Sequence, residues 1–140
     1  MKFETVHGLQ IPKIGFGCWT IGGESTPDSA QDTKSLAALR SALELGYTHF
    51  DTAEYYAAGH SEELVGRAIR EAGVAREAVF ITSKVSPSHL KYEDVLRSCE
   101  NSLRRLEMEY LDLYLIHWPE RDMNLPETFR ALNQLVREGK

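Results

Sequence analysis

Apolar and polar positions along this chain switch repeatedly between two periods. Short β-rich runs give way to longer stretches whose apolar residues recur three and four apart. The stretch KFETVHGLQIPKI reads as a β-hairpin whose two runs flank His7-Gly8, where glycine tolerates the positive φ of a tight turn. Pro12 suits an edge strand better than a central one. IGFGCW at 14–19 predicts a short strand, and the polar loop GGESTPDSAQ follows it. A helix is predicted over 28–45, with Leu36, Leu39, Ala42, Leu43 and Leu45 largely at helical spacing and Gly46 as a left-handed cap.

The same alternation then recurs. THFD at 48–51 predicts a strand, and a helix is predicted over 61–72 with Ser61 as its N-cap. Glu62 and Glu63 sit in that helix's positive first turn, and Gly73 closes it. VFITSK at 79–84 predicts a strand, followed by a helix over 92–106. YLDLYLIH at 110–117 predicts a strand whose partial alternation and apolar stretch suit cover on both faces. The last predicted helix covers 126–138, with Pro126 near its first position and Gly139 as terminator.

Four β–α units at a period of roughly 33 residues predict an α/β fold with a parallel sheet and right-handed crossovers. Two architectures compete: an open doubly wound sheet, and half of an eight-stranded (β/α)8 barrel. The N-terminal hairpin and the placement of polar residues favour the half-barrel. GFGCWTIGG does not fit the GxGxxG dinucleotide loop. No linker, low-complexity tract or second domain interrupts residues 1–140, which read as one domain.

Composition narrows the function classes. Hydrophobic residues make up 42% and charged residues 26%, as in globular proteins. A net charge of -5 offers no basic footprint, so nucleic acid is not an expected partner. No apolar run approaches the ~20 residues that span a bilayer, and MKFETVHGLQ lacks the apolar core of a signal peptide. Cys18 and Cys99 read as free thiols in a reducing cytoplasm. Cys18 follows a predicted strand and is read as a small buried residue rather than a site residue.

The candidate chemistry lies at the ends of the predicted strands. Asp51 ends the second, Tyr56 follows five residues later, Lys84 ends the third and His117 ends the fourth. Catalytic groups at the C-terminal ends of successive parallel strands are how a β/α barrel builds a site. A phenol has a pKa near ~10 in water and is a reluctant acid at neutral pH. An adjacent ammonium favours the phenolate and eases release of the proton. Lys84 can be that cation, Asp51 can hold it, and His117 can orient a carbonyl oxygen. Tyr56 can then protonate that oxygen as general acid. No side chain supplies hydride, so a nicotinamide cofactor is required.

Singly, each of the four has an ordinary structural reading: Asp51 and Lys84 as an ion pair, Tyr56 as packing, His117 as a satisfied polar group. Together, one strand apart in order, they point to catalysis. His7, His49, His60 and His89 lack metal-ligand spacing and read as surface or core. Trp19 and Trp118, just past strands one and four, read equally as core or as an aromatic wall for substrate. The charges of SCENSLRRLEMEY read as a solvated helix face.

The hairpin, IGFGCW, GYTHFDTAEYY, SEELVGRAI, ITSKV and LDLYLIHWP together resemble the N-terminal half of an aldo-keto reductase, over essentially the whole chain. The resemblance implies a (β/α)8 barrel and NADPH- or NADH-dependent reduction of aldehydes or ketones. It places the family's catalytic tetrad on Asp51, Tyr56, Lys84 and His117. It implies that Trp19 or Thr20 backs the nicotinamide, so that Trp19, Thr20, Asp51 and His117 form the nicotinamide end of the cofactor site. Trp19, Tyr56, His117 and Trp118 would line the substrate. The segment AAGHS before EELVG resembles bacterial members and implies a small general reductase.

In the family, further strands follow and supply most cofactor contacts. The chain is therefore expected to be a partial form that binds NADPH weakly by itself and self-associates through open strand edges. Two other readings compete with the reductase. One is a non-catalytic or regulatory relative; the other is a lyase using Lys84 as a Schiff base.

Overall fold

A computed structural model describes residues 2–140; Met1, part of the expected 1–140 domain, lies outside the described residues. β1 (Phe3–Val6) and β2 (Leu9–Pro12) form the antiparallel hairpin. His7 and Gly8 turn it with φ of 49° and 85°, the paired positive values that match the twist of two-residue hairpins.

Four parallel strands follow: β3 (Phe16–Gly17), β4 (His49–Asp51), β5 (Phe80–Val85) and β6 (Leu113–Ile116), in the order β3-β4-β5-β6. Four helices alternate with them: α1 (Asp32–Glu44), α2 (His60–Glu71), α3 (Tyr92–Leu106) and α4 (Leu125–Glu138). The sheet and helices meet over one core that includes Leu39, Phe50, Val65, Ile81, Val85, Val95 and Leu106. Successive strand residues point to opposite faces. Phe50, Ile81 and Val85 therefore face the helices, while His49, Asp51, Thr82 and Lys84 share the other face. The His49 ring lies 2.9 Å from Thr82 Oγ1 on that face.

Several element ends differ from expectation, each for a local reason. The first helix starts four residues later than predicted. Asp28 instead accepts from the Ala30 amide and caps a 3-10 turn over Ser29–Gln31. β6 is shorter than 110–117 because Asp112 uses its carboxylate, rather than regular backbone pairing alone, to take the Ile81 amide at 2.8 Å. Arg76 then donates to that carboxylate at 2.6 Å and to the Tyr110 carbonyl at 2.9 Å. α3 ends on Glu107 in the left-handed region, with no glycine to signal the stop.

Three readings are corrected. Ser61 is not the N-cap of α2, because Gly59 holds that position. Ser61 is buried, and its hydroxyl donates to the Cys18 carbonyl at 3.0 Å. β6 is not covered on both faces: Tyr114 and Ile116 pack on the core, but Leu113 and Leu115 are each 37% exposed. On the face that Leu113 and Leu115 share with Thr82 and Lys84, the edge strand is open while Phe80, Thr82 and Lys84 of β5 are buried. The charges of SCENSLRRLEMEY are not all solvated either. Arg105 donates at 2.7 Å to Glu62, a carboxylate with no exposed surface. Ser83 donates to the other oxygen of Glu62 at 2.5 Å. Burial pushes the Glu62 carboxyl above its ordinary range, and Arg105 opposes that rise. A buried charge needs such partners, so this trio ties α2, α3 and β5 together.

Both cysteines are buried and free, in keeping with the sequence reading. Burial pushes the Cys99 thiol up to about 12 and raises Cys18 further. Among the described residues no helix is long and apolar enough to cross a membrane.

Two predictions follow from the helix layer. A Cβ on Gly66 would lie 2.2 Å from the Leu106 carbonyl oxygen, so α2 and α3 meet backbone to backbone. Gly66→Ala is expected to cost about 1–3 kcal/mol by overpacking, seen as a lower urea midpoint; an unchanged midpoint contradicts the close approach.

His60 joins α1 to α2 through Asp32 at 2.8 Å and Glu63 at 2.7 Å. Burial opposes its charged form, but the two carboxylates outweigh burial and raise its pKa above the ordinary value. The resulting stability is fully present below the unfolded value of ~6.5 and is lost as pH rises through the folded value. His60→Gln is expected to lower the unfolding free energy more at pH ~6 than at pH ~9, whereas equal losses contradict the charged clamp.

Candidate active site

Lys84 is the second-last residue of β5, and its side chain is buried on the open face of the sheet. An ammonium has three donors to satisfy. Here one contacts the Asp51 carboxylate, one reaches the Thr52 carbonyl at 2.8 Å, and one reaches the Tyr56 phenol oxygen at 3.2 Å. Strand register brings these groups together. Asp51 pairs with Thr82, two residues before Lys84, and the Thr52 amide continues that ladder to the Thr82 carbonyl at 2.9 Å.

Tyr56 sits in the loop between β4 and α2. The residues after it, Ala57 and Ala58, have φ of 49° and 51°. Left-handed backbone costs an alanine roughly 1–2 kcal/mol. The Ala57 amide offsets part of this by donating to the Glu24 carbonyl at 2.6 Å. Such strain concentrates where a loop must present a side chain in one place.

His117 follows β6, and its amide donates to the Val85 carbonyl at 3.0 Å. Its ring centroid lies 5.4 Å from that of Tyr56 at an interplanar angle of 73°. Partial burial and the nearby Lys84 charge lower its pKa below the ordinary imidazole value. The ring is therefore neutral at neutral pH, with one nitrogen able to donate and one able to accept. Its buried Nδ1 has no hydrogen-bond partner among the described residues.

Trp19 and Trp118 are 43% and 42% exposed, which excludes the core reading for both. They stand around this cluster instead. Trp19 meets the Tyr56 ring edge-on at 4.9 Å, and Trp118 lies 4.4 Å from the His117 ring. Tyr55 joins them, stacked on Trp19 at 6.1 Å and edge-on to Trp118 at 5.5 Å. The sequence points to Tyr56 by its spacing from Asp51 and assigns Tyr55 no role. The doublet itself was the signal, because adjacent loop residues can serve two sides of one site. Thr20 is exposed on the Trp19 loop, and among the described residues no side-chain hydrogen bond ties it to the cluster.

The remaining histidines fall elsewhere. His49 packs edge-on against Phe80 at 4.9 Å, and His89 contacts Glu54 at 2.9 Å. Among the described residues no cluster of three or more histidine, cysteine, aspartate or glutamate side chains could hold a metal ion. The set therefore comprises a carboxylate-held ammonium under a phenol, a neutral imidazole opposite, and an open aromatic wall. This arrangement can bind a polar oxygen, donate a proton to it and shield it from water on one side.

Comparison with known proteins matches this picture. Residues 13–140 fit the model of the Aldo/keto reductase family. The chain is 42% identical to the methylglyoxal reductase YeaE of Escherichia coli, over 94% of this chain and 44% of that protein. It is 42% identical to a glyoxal reductase of Bacillus subtilis, over 96% of this chain and 44% of that protein. A crystal structure of a thermostable aldo-keto reductase with the inhibitor epalrestat superposes with a TM-score of 0.94 at 49% identity, covering 99% of this chain and 51% of the other. An aldo/keto reductase from Klebsiella pneumoniae, in complex with NADP and acetate, gives a TM-score of 0.83 at 46% identity, covering 96% of this chain and 44% of the other. The chain thus spans about half the length of the relatives it matches, and its four β–α units behind a hairpin are about half of a (β/α)8 barrel. On the family model, the fold and the sequence likeness together, this chain belongs to the aldo/keto reductase family.

Proposed function

We propose that residues 1–140 form a single unit carrying the proton-transfer half of an NAD(P)H-dependent carbonyl reductase site. The observation that carries this reading is the Lys84 ammonium bound at once to Asp51 and to the Tyr56 oxygen, 3.2 Å away. In this reading Asp51 and the Thr52 carbonyl hold the ammonium in place. Lys84 stabilises the negative charge left on the phenol as its proton departs. Tyr56 gives that proton to the carbonyl oxygen. His117, neutral, orients the same oxygen through its imidazole. Trp19, Tyr55 and Trp118 exclude water and pack against the rest of the substrate.

The residues fit a nicotinamide cofactor, since the Asp51 side chain and Trp19 are both partly open to solvent beside the Tyr56 phenol, and none of the side chains can itself release hydride. Trp19, Thr20, Asp51 and His117 would hold its nicotinamide end, and the cofactor would supply the hydride. NADPH is favoured over NADH because a relative was crystallised with NADP. The named relatives act on methylglyoxal and glyoxal, which favours small aldehydes and ketones as substrates here.

A Schiff-base lyase is disfavoured because all three donors of Lys84 are engaged, leaving no free amine lone pair. A purely regulatory relative would not require a phenol and a buried ammonium in contact. The outer strands β3 and β6, with Leu113 and Leu115 open, support completion of the sheet by more strands or by a second copy. A cytoplasmic setting rests on the two free thiols.

The test is NADPH-dependent reduction of methylglyoxal by the natural gene product that contains these residues. Tyr56→Phe is expected to lower kcat by about 10²–10⁴-fold while leaving NADPH binding intact, because the proton moves only in the transition state. Normal turnover in that variant contradicts the assignment of Tyr56.

A further inference from the structure

The phenol loop and the lysine strand are cross-linked twice. One link is Lys84 Nζ to Tyr56 Oη. The second lies two residues away on each segment, in opposite chain directions. Oε1 of Glu54, two residues before Tyr56, accepts from the amide of Ser86, two residues after Lys84, at 2.6 Å. The same oxygen accepts from His89 Nδ1 at 2.9 Å. A third contact, from the Glu54 amide to the Lys84 carbonyl at 3.4 Å, runs between the same segments.

We propose that Glu54 is the positioning residue that fixes the Tyr55–Tyr56 loop against the end of β5, and so sets the distance between phenol and ammonium. This rests on the reading of Tyr56 as proton donor. Glu54 touches none of the reacting groups; it acts through Tyr56.

Its surroundings are built for that task. Only 8% of the Glu54 side chain is exposed, so it cannot rely on water for its hydrogen bonds. His89 must carry its proton on Nδ1 to serve Glu54, and the Ser98 hydroxyl sits 3.2 Å from the same nitrogen. The carboxylate joins the β4–α2 loop to the β5–α3 loop, and His89 in turn lies against Ser98 of α3. Burial works against the Glu54 charge, but the Ser86 amide and His89 outweigh it and hold the pKa below the ordinary value. The group therefore stays an acceptor across the neutral range. Two left-handed alanines follow Tyr56 directly, so the loop has no intrinsic preference for this shape and needs an external anchor. Sequence reading passed over Glu54 because a glutamate between two site residues looks like an ordinary solvated loop position.

The anchor also borders a polar cleft of about 410 Å³, lined by Glu54, Tyr55, Ser86, His89 and Arg105 among others. That cleft gives a small carboxylate a route to the position that Glu54 would vacate. It makes chemical rescue a usable readout.

The test uses Glu54→Ala and Glu54→Gln in the natural gene product, with NADPH and methylglyoxal. Glu54→Ala is expected to lower kcat by about tenfold to a hundredfold, since small misplacements of a reacting group have effects of that size. KM should change by less than kcat, because of the three wall residues only Tyr55 lies on the loop that Glu54 holds. Glu54→Gln keeps an oxygen for the Ser86 amide and should recover most of the loss. Formate added to Glu54→Ala should recover part of it.

Amide hydrogen exchange supplies an arm that needs no activity. Exchange at Tyr56 and Ala58 should quicken in Glu54→Ala while amides of α4 keep their rates. Unchanged exchange at Tyr56 and Ala58 overturns the proposal. So does a loss that appears only in KM, or that Glu54→Gln does not relieve. If the parent protein reduces no carbonyl while the loop amides still respond, the reductase reading fails and the anchor stands.

Discussion

The structure depends on how one buried cation is satisfied. An ammonium removed from water must find three acceptors or lose its charge. Lys84 finds them in a strand-end carboxylate, a backbone carbonyl and a phenol, drawn from β4 and the loop that follows it. Those partners can converge only if β4 and β5 keep their parallel register, with Asp51 opposite Thr82. The constraint that satisfies the charge is thus the same one that assembles the site. The phenol oxygen is held near a positive charge by the fold itself, and on the proposed function this is the preorganisation that electrostatic catalysis requires.

Behind the sheet, a second polar layer keeps that register from slipping. Glu62, fully buried, joins Arg105 of α3 and Ser83 of β5, the residue beside Lys84. Ser61 joins the Cys18 carbonyl to Thr52 Oγ1, the latter at 3.1 Å, just before the phenol loop. These bonds lie among buried apolar residues, where hydrogen bonds are directional and an unpaired group is costly. The hydrophobic core fixes the layers. The buried polar residues fix the angular and axial placement of the strands that present the site.

Much of this was legible before any coordinates. Helices α3 and α4 were placed to within a residue because strong 3.6-residue periodicity specifies them locally. That Asp51, Tyr56, Lys84 and His117 would share one site was legible because polar side chains at the ends of apolar strands have few structural uses, and the structure brings the four together. What failed were features set by tertiary partners. Ser61 looked like a cap because local sequence cannot reveal that its hydroxyl is spoken for by Cys18. Arg105 looked solvated because its partner Glu62 is 43 residues away. The partial alternation of β6 was read as cover on both faces, yet Leu113 and Leu115 remain open. Glu54 carries no mark in the sequence because loop residues have no periodicity to show which way they point.

The direct measurement of the central interaction is the nitrogen-15 NMR signal of the Lys84 ammonium at neutral pH. A cation locked by three acceptors exchanges its protons slowly with water. Its signal should therefore be visible and protected, should shift on Tyr56→Phe, and should broaden away on Asp51→Asn. A Lys84 signal that exchanges as fast as those of exposed lysines and ignores both substitutions would contradict the locked ammonium on which the site is built.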